Sequence, residues 1–256
     1  MSALHHHLRL LDRVLLALQA SLLAAQAAVV EVDLIFPRND TYAPGPFMPV
    51  VFAIQNSAIA APLDMIITWN IYQLPGNNGF SGVIDIGKTN FTGTDPFFAA
   101  DYAQRLNGTE AGWSILWSLS FANCSENFQG GATVTKTSET RHLLFSTKPG
   151  APAPNLVQSP SACVNSTGVA IDTAGTLPID KWDNNDHDSC LVLASPPIVA
   201  SNSCAVIVDE ATASSILGKR CGPDYSTTCP SDSGASAQGT SVLVSWLLPV
   251  LAGLVL

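Results

Sequence analysis

Trp113-Ser114-Ile115-Leu116-Trp117-Ser118-Leu119-Ser120-Phe121 decides the fold class. Trp113, Ile115, Trp117, Leu119 and Phe121 recur at every second position, with Ser114, Ser118 and Ser120 between them. Successive side chains of a strand point to opposite faces, so this spacing collects the large apolar groups on one face. The stretch reads as a core strand of an antiparallel sheet whose other face is less apolar.

Period two continues upstream. Val30, Val32, Leu34 and Phe36 alternate with Glu31, Asp33 and Ile35, giving a strand with one apolar face. Val50–Gln55 reads as another strand, and in Met65–Tyr72 the residues Met65, Ile67, Trp69 and Ile71 share a face. Pro37–Pro49 is a turn-rich connection, and Pro75-Gly76-Asn77-Asn78-Gly79 is a loop by its turn chemistry. Downstream, the polar Gln129-Gly130-Gly131 leads to strands at Ala132–Lys136 and Arg141–Thr147. About seven strands in roughly 120 residues, spaced by turns, predict a mainly β protein with an immunoglobulin-like antiparallel β-sandwich over residues 28–148. Trp69 suits the buried tryptophan of such domains. The antibody-type disulfide does not fit, because this region holds only Cys124.

Pro149, Pro152, Pro154 and Pro160 mark a Pro-rich connection, residues 149–160, read as an extended edge crossing the first domain. Residues 161–230 are expected to form a smaller disulfide-rich β region with short strands at Val169–Ile171, Leu191–Ala194 and Ala205–Val208. One helix is expected there. Asp209 caps its start, Glu210 suits its first turn, Gly218 closes it, and Lys219 and Arg220 favour its negative end.

Both ends read as processing signals. Arg9 and Arg13 precede the apolar run Val14–Ala25, which is too short to span a bilayer needing about 20 residues. Ala25-Gln26-Ala27 follows the A-x-A pattern, so residues 1–27 are expected to be a signal peptide cleaved after Ala27. Residues 231–256 have the layout of a GPI-attachment signal. Small residues Ser231-Asp232-Ser233-Gly234-Ala235 precede a polar spacer, Ser236–Ser241, and the nearly all-apolar Val242–Leu256. The expected acceptor is Ser233 or Gly234, and the spacer length also allows Ser231. A membrane-spanning tail is the competing reading, but the run is short and no Lys or Arg follows it.

Composition narrows the function classes. Apolar residues are 47% and charged residues 12%, too apolar for a disordered chain. The formal charge is −9, and removing Arg9, Asp12 and Arg13 with the signal leaves about −10. Scattered acids without a basic patch exclude nucleic-acid binding. Six cysteines remain after processing, namely Cys124, Cys163, Cys190, Cys204, Cys221 and Cys229. An even count in an exported chain implies disulfides, whose pairing the sequence leaves open. If all pair, Cys124 must reach across the prolines. Sequons stand at Asn39, Asn90, Asn107, Asn123 and Asn165. Asn123 is the least favourable, because Cys124 is its middle residue.

Catalytic patterns are sparse. Asp172-Thr173 and Asp232-Ser233-Gly234 faintly resemble the paired aspartates of aspartic proteases. However, Ala174 replaces the glycine, and the chain between the two is too short for a lobe. An Asp-bearing turn is the simpler reading of Asp172. Asp180, Asp183, Asp186 and Asp188, with Asn184, Asn185 and His187, offer calcium-type oxygens, but their spacing is not that of an EF-hand and favours a solvated loop. His142 reads as a packed or surface histidine. A polysaccharide-cleaving copper enzyme needs His as its first mature residue, where this chain has Ala28. Trp69, Trp113 and Trp117 could stack on sugars, but their strand spacing favours core packing.

Three segments carry a resemblance: Glu31–Tyr42 (EVDLIFPRNDTY), Pro49–Asn56 (PVVFAIQN) and Cys204–Asp209 (CAVIVD). They are similar to a family of secreted, often surface-anchored fungal proteins known only as a domain of unknown function. The resemblance covers most of the mature chain. It implies a fungal wall or membrane setting and brings no catalytic residues. The resulting expectation is a non-enzymatic, N-glycosylated surface protein without a cofactor, held on the outer leaflet of the plasma membrane by a GPI lipid. Wall polysaccharide is its candidate partner. An extracellular carbohydrate-active or other hydrolase is the alternative, and two carboxylates in a cleft at glycosidase spacing would favour it.

Overall fold

The computed structural model describes residues 28–76, 79–89, 91, 95–104, 106, 108–128, 131–158, 167–179 and 187–218. The alternating stretch lies in a long strand, β7 (Ala111–Glu126), with Ile115, Trp117, Leu119 and Phe121 fully buried and Trp113 nearly so. Around it are β1 (Ala28–Phe36), β2 (Thr41–Tyr42), β3 (Phe47–Gln55), β4 (Ile66–Leu74), β5 (Gly79–Asp85) and β6 (Phe97–Gln104). After it come β8 (Ala132–Thr147), β9 (Thr167–Pro178), β10 (Ser189–Val199) and one helix, α1 (Glu210–Gly218).

The strands form two five-stranded sheets. Sheet one has the order β10-β9-β1-β3-β6, and sheet two β2-β8-β7-β4-β5. Every pairing is antiparallel except the short β2–β8 contact, which is parallel. The first segment of the chain thus contributes a strand to each sheet. The inner faces share one apolar core. Phe52 of β3 meets Trp117 of β7 edge-on, with ring centroids 5.2 Å apart. The three core tryptophans also satisfy their indole N–H groups, as buried tryptophans require. Trp69 donates to Asp101 Oδ2 at 3.0 Å, Trp113 to Thr147 Oγ1 at 2.8 Å, and Trp117 to Thr167 Oγ1 at 3.1 Å. Their role is packing, as their spacing implied.

Residues 149–158 run along the body. Ala43 N–H donates to Pro152 O at 2.7 Å, Arg38 Nη2 to Leu156 O at 2.7 Å, and Gln158 N–H to Val208 O at 2.9 Å. Beyond the prolines, the chain returns to sheet one. β9 pairs with β1 over Ala28–Leu34, and β10 pairs with β9, so both extend sheet one. The reason is the open edge of β1. Its backbone donors and acceptors on the side away from β3 need partners once its side chains are buried, and β9 supplies them. All elements through Leu217 lie in one compact unit.

Three local expectations change. Ala132–Lys136 and Arg141–Thr147 are halves of the single strand β8. Asp172-Thr173 lies inside β9, not in a turn. Ala205–Val208 is extended but belongs to neither sheet, although Val206 and Val208 are buried. The helix forms where expected, with Thr212 N–H donating to Asp209 Oδ1 at 2.7 Å.

Candidate functional site

The least ordinary chemistry lies on the outer face of β1. Glu31 and Asp33, two residues apart on one strand, project to the same face. Glu31 stands opposite Gln55 on β3 and Ala170 on β9, and Asp33 stands opposite Ala53 and Gly168. Directly opposed residues share a face, so Asp33 lies between the small Ala53 and Gly168, and Glu31 between Gln55 and Ala170. Residues 200–204 form a strap over this patch. Asn202 N–H donates to Glu31 Oε1 at 2.5 Å, and the Ser203 hydroxyl faces Asp33. A Cβ at position 168 would overlap Asp33 Oδ1 and come within 2.9 Å of Ser203 Oγ and 3.1 Å of Ser201 Cβ. Gly168 is what lets strap, carboxylate and β9 meet.

Both acids are nearly removed from water, Asp33 at 0% and Glu31 at 7% exposure. Gln55 Nε2 donates to Asp33 Oδ2 at 2.8 Å, while Oδ1 is buried without an aligned donor. Burial, and then repulsion by Asp33, pushes the Glu31 carboxyl up from 4.5 to about 7. Burial also raises Asp33, while donors from Ser203, Gln55 and Glu31 favour its charged form. Two coupled carboxyl groups this close titrate as a pair, and burial favours the pair keeping a proton. On β8, Arg141 donates from Nε to Gly168 O at 3.3 Å and pairs through Nη1 with Glu139 at 3.0 Å.

A second buried polar corner lies at the end of β1. Arg38 N–H donates to the Tyr42 hydroxyl at 3.0 Å, and burial pushes that phenol up to about 12. Burial also lowers the Arg38 guanidinium, which binds the carbonyls of Leu156 and Val157. The segment Glu31–Tyr42 therefore carries both the acid pair and the clamp on residues 156–157.

The sequence-predicted sites divide by location. Cys124 on β7 and Cys190 on β10 are bonded, with Cα atoms 5.9 Å apart, so the bond crosses from one sheet to the other and spans the prolines. Cys204 is disulfide-bonded as well. Asn39 is exposed in the turn after β1. Asn123 is half-buried, and its Oδ1 accepts the Leu193 N–H at 3.1 Å. His142 is exposed on β8, and His187 lies 3.1 Å from Gly87 O through Nε2. Asp188 is exposed, and Asp172 sits on β9 with a buried Oδ1 lacking a donor. Ala27, Asn90, Asn107, Cys163, Asn165, Asp180, Asp183, Asp186, Cys221, Cys229, Ser231, Ser233 and Gly234 lie outside the described residues. The acid pair was not singled out by sequence reasoning. Its available signal was two carboxylates at alternate positions of an otherwise apolar strand.

These features define a mainly β, two-sheet protein, cross-linked between its sheets and closed over a buried acid pair. The model of one family matches residues 25–222, which takes in every element from β1 to α1. The chain belongs to that family, described as a domain of unknown function, DUF7136. Comparison with curated proteins finds no match.

Proposed function

We propose that this chain is an exported, N-glycosylated surface protein of a fungal wall or membrane setting, GPI-anchored and serving a structural or binding role. Wall polysaccharide is the candidate partner. The observation that carries this reading is the Cys124–Cys190 disulfide. Bonds of this kind persist in oxidising, extracytoplasmic compartments and are rare in the cytosol. The leader-like residues 1–27 and the anchor-like residues 231–256 agree with it. An immunoglobulin-like sandwich is the finer fold reading. Its support is the strand order: β1-β3-β6 in one sheet and β2-β8-β7-β4-β5 in the other, with the short β2 parallel to β8. On this reading β9 and β10 are additions beside the first strand.

Against the hydrolase alternative stands the way the acids are used. Glycosidase carboxyl groups stand roughly 5–9.5 Å apart around substrate or water. Glu31 and Asp33 are instead buried beneath the strap, at 7% and 0% exposure, with no room for a substrate between them and solvent. The test is treatment of intact cells with phosphatidylinositol-specific phospholipase C, followed by mass spectrometry of the released chain. Release with a glycan remnant on Ser233 or Gly234, a start at Ala28 and a glycan on Asn39 is the expected result. A cell-bound chain that keeps Leu256 would overturn the anchor.

A further inference from the structure

We propose that the Glu31–Asp33 pair is a proton-operated latch, which holds the 200–204 strap on sheet one when the pair keeps its proton and loosens it when that proton is lost. The geometry supplies the parts. Both carboxyl groups are buried on one strand face, and the strap rests on them through Asn202 N–H and the Ser203 hydroxyl. No basic side chain among the described contacts compensates a second negative charge there. From β3 the facing group is the neutral amide of Gln55. From β9 the facing positions are Gly168 and Ala170, with Asp172 further along the same face. The strap brings Asn202 and Ser203. From β8, Arg141 reaches the Gly168 carbonyl and pairs with Glu139 instead.

Removing the proton therefore leaves two adjacent anions out of water. Among the described contacts no cation neutralises them, and Gly168 leaves no slack between Asp33 and Ser203. Lifting residues 200–203, which belong to neither sheet, readmits water while the Cys204 disulfide keeps the far end of the strap tethered. Glu31 binds its proton more tightly in the closed form than in the open one. The closed form is thus favoured fully below the ordinary carboxyl value of 4.5 and loses that advantage as pH rises to about 7.

Hydrogen exchange of the oxidised chain, read by mass spectrometry at pH 5, 6, 7 and 8 and corrected for intrinsic exchange rates, tests the latch. Protection of the Asn202 amide, whose N–H is held by Glu31, is expected to fall up to about tenfold per pH unit from 5 to 7 and to level off by 8. The β4 and β7 amides keep theirs. Glu31→Gln, which cannot lose the proton, is expected to give a strap profile flat in pH. A flat profile in the wild-type chain would overturn the latch without any variant. So would a pH slope that survives in Glu31→Gln, or β7 protection falling in step with the strap, which would be global unfolding.

Discussion

Sheet two is covered on one face and open on the other, whereas the centre of sheet one is covered on both. Along β7, buried Ile115, Trp117 and Leu119 alternate with half-buried or exposed Ser114, Leu116, Ser118 and Ser120. Along β1, every residue from Val30 to Phe36 is buried, acids included. The difference arises outside the strands. Residues 156–158, the extended stretch 205–208 that follows the strap, and α1 bring Leu156, Val206, Val208, Ala213 and Ile216 into the same apolar cluster as the sheets. Alternation reports the chemistry of a face, not what lies over it. Where the cover is a distant loop, polar residues on the covered face must find partners within the protein.

The contrast can be tested by substitution. The largest effect is expected where the sheets meet. Trp117→Ala empties a site with 0% exposure against Phe52 and should cost about 3–5 kcal/mol in denaturant unfolding. A cost near zero would mean the sheets do not share a core. Next is the inter-sheet bond. Replacing Cys124 and Cys190 together by Ala frees a loop of sequence separation 66 and should cost about 2–4 kcal/mol, read as a lowered midpoint of thermal or denaturant unfolding. Smaller again is a pair of glycines, one per sheet. Gly168→Ala should cost about 1–3 kcal/mol, because its methyl overlaps Asp33 Oδ1. Gly112→Ala, whose nearest neighbour is Leu74 Cβ at 3.8 Å, should stay within about 0.5 kcal/mol of wild type. Equal costs would erase the distinction between the covered and open faces. The smallest effect belongs to the open face itself. Ser118 and Thr140 share an exposed hydrogen bond of 2.8 Å, and Ser118→Ala should change stability by no more than about 0.5 kcal/mol.

Strands whose inner face meets the core were legible from residues alone, as β1, β4 and β7 illustrate. β5 was not, because its seven residues, including two glycines, are all exposed or half-buried at the edge of sheet two. β6 was missed in Phe97-Phe98-Ala99-Ala100, where two pairs of like residues hide the alternation. β8 was split because Thr135 to Ser138 are exposed on both faces. Val206 and Val208 alternate as strand residues do, yet the chain there packs on its side chains and pairs with Gln158 alone among the described backbone contacts. The partnership of β9 with β1 depends on which edge is free, which no local pattern records. The same holds for the acid pair. Glu31 and Asp33 are plain in the sequence, but their burial is decided by a strap some 170 residues later.

The Cys124–Cys190 bond has a consequence for damage. It closes a covalent ring that runs from the end of β7 through all of β8 and β9 to the start of β10. A protease that nicks the backbone anywhere between these two cysteines yields two ends but not two molecules. The severed pieces stay joined through sulfur, and the hydrogen-bonded sheets hold the nick closed. Only a nick followed by reduction separates the parts.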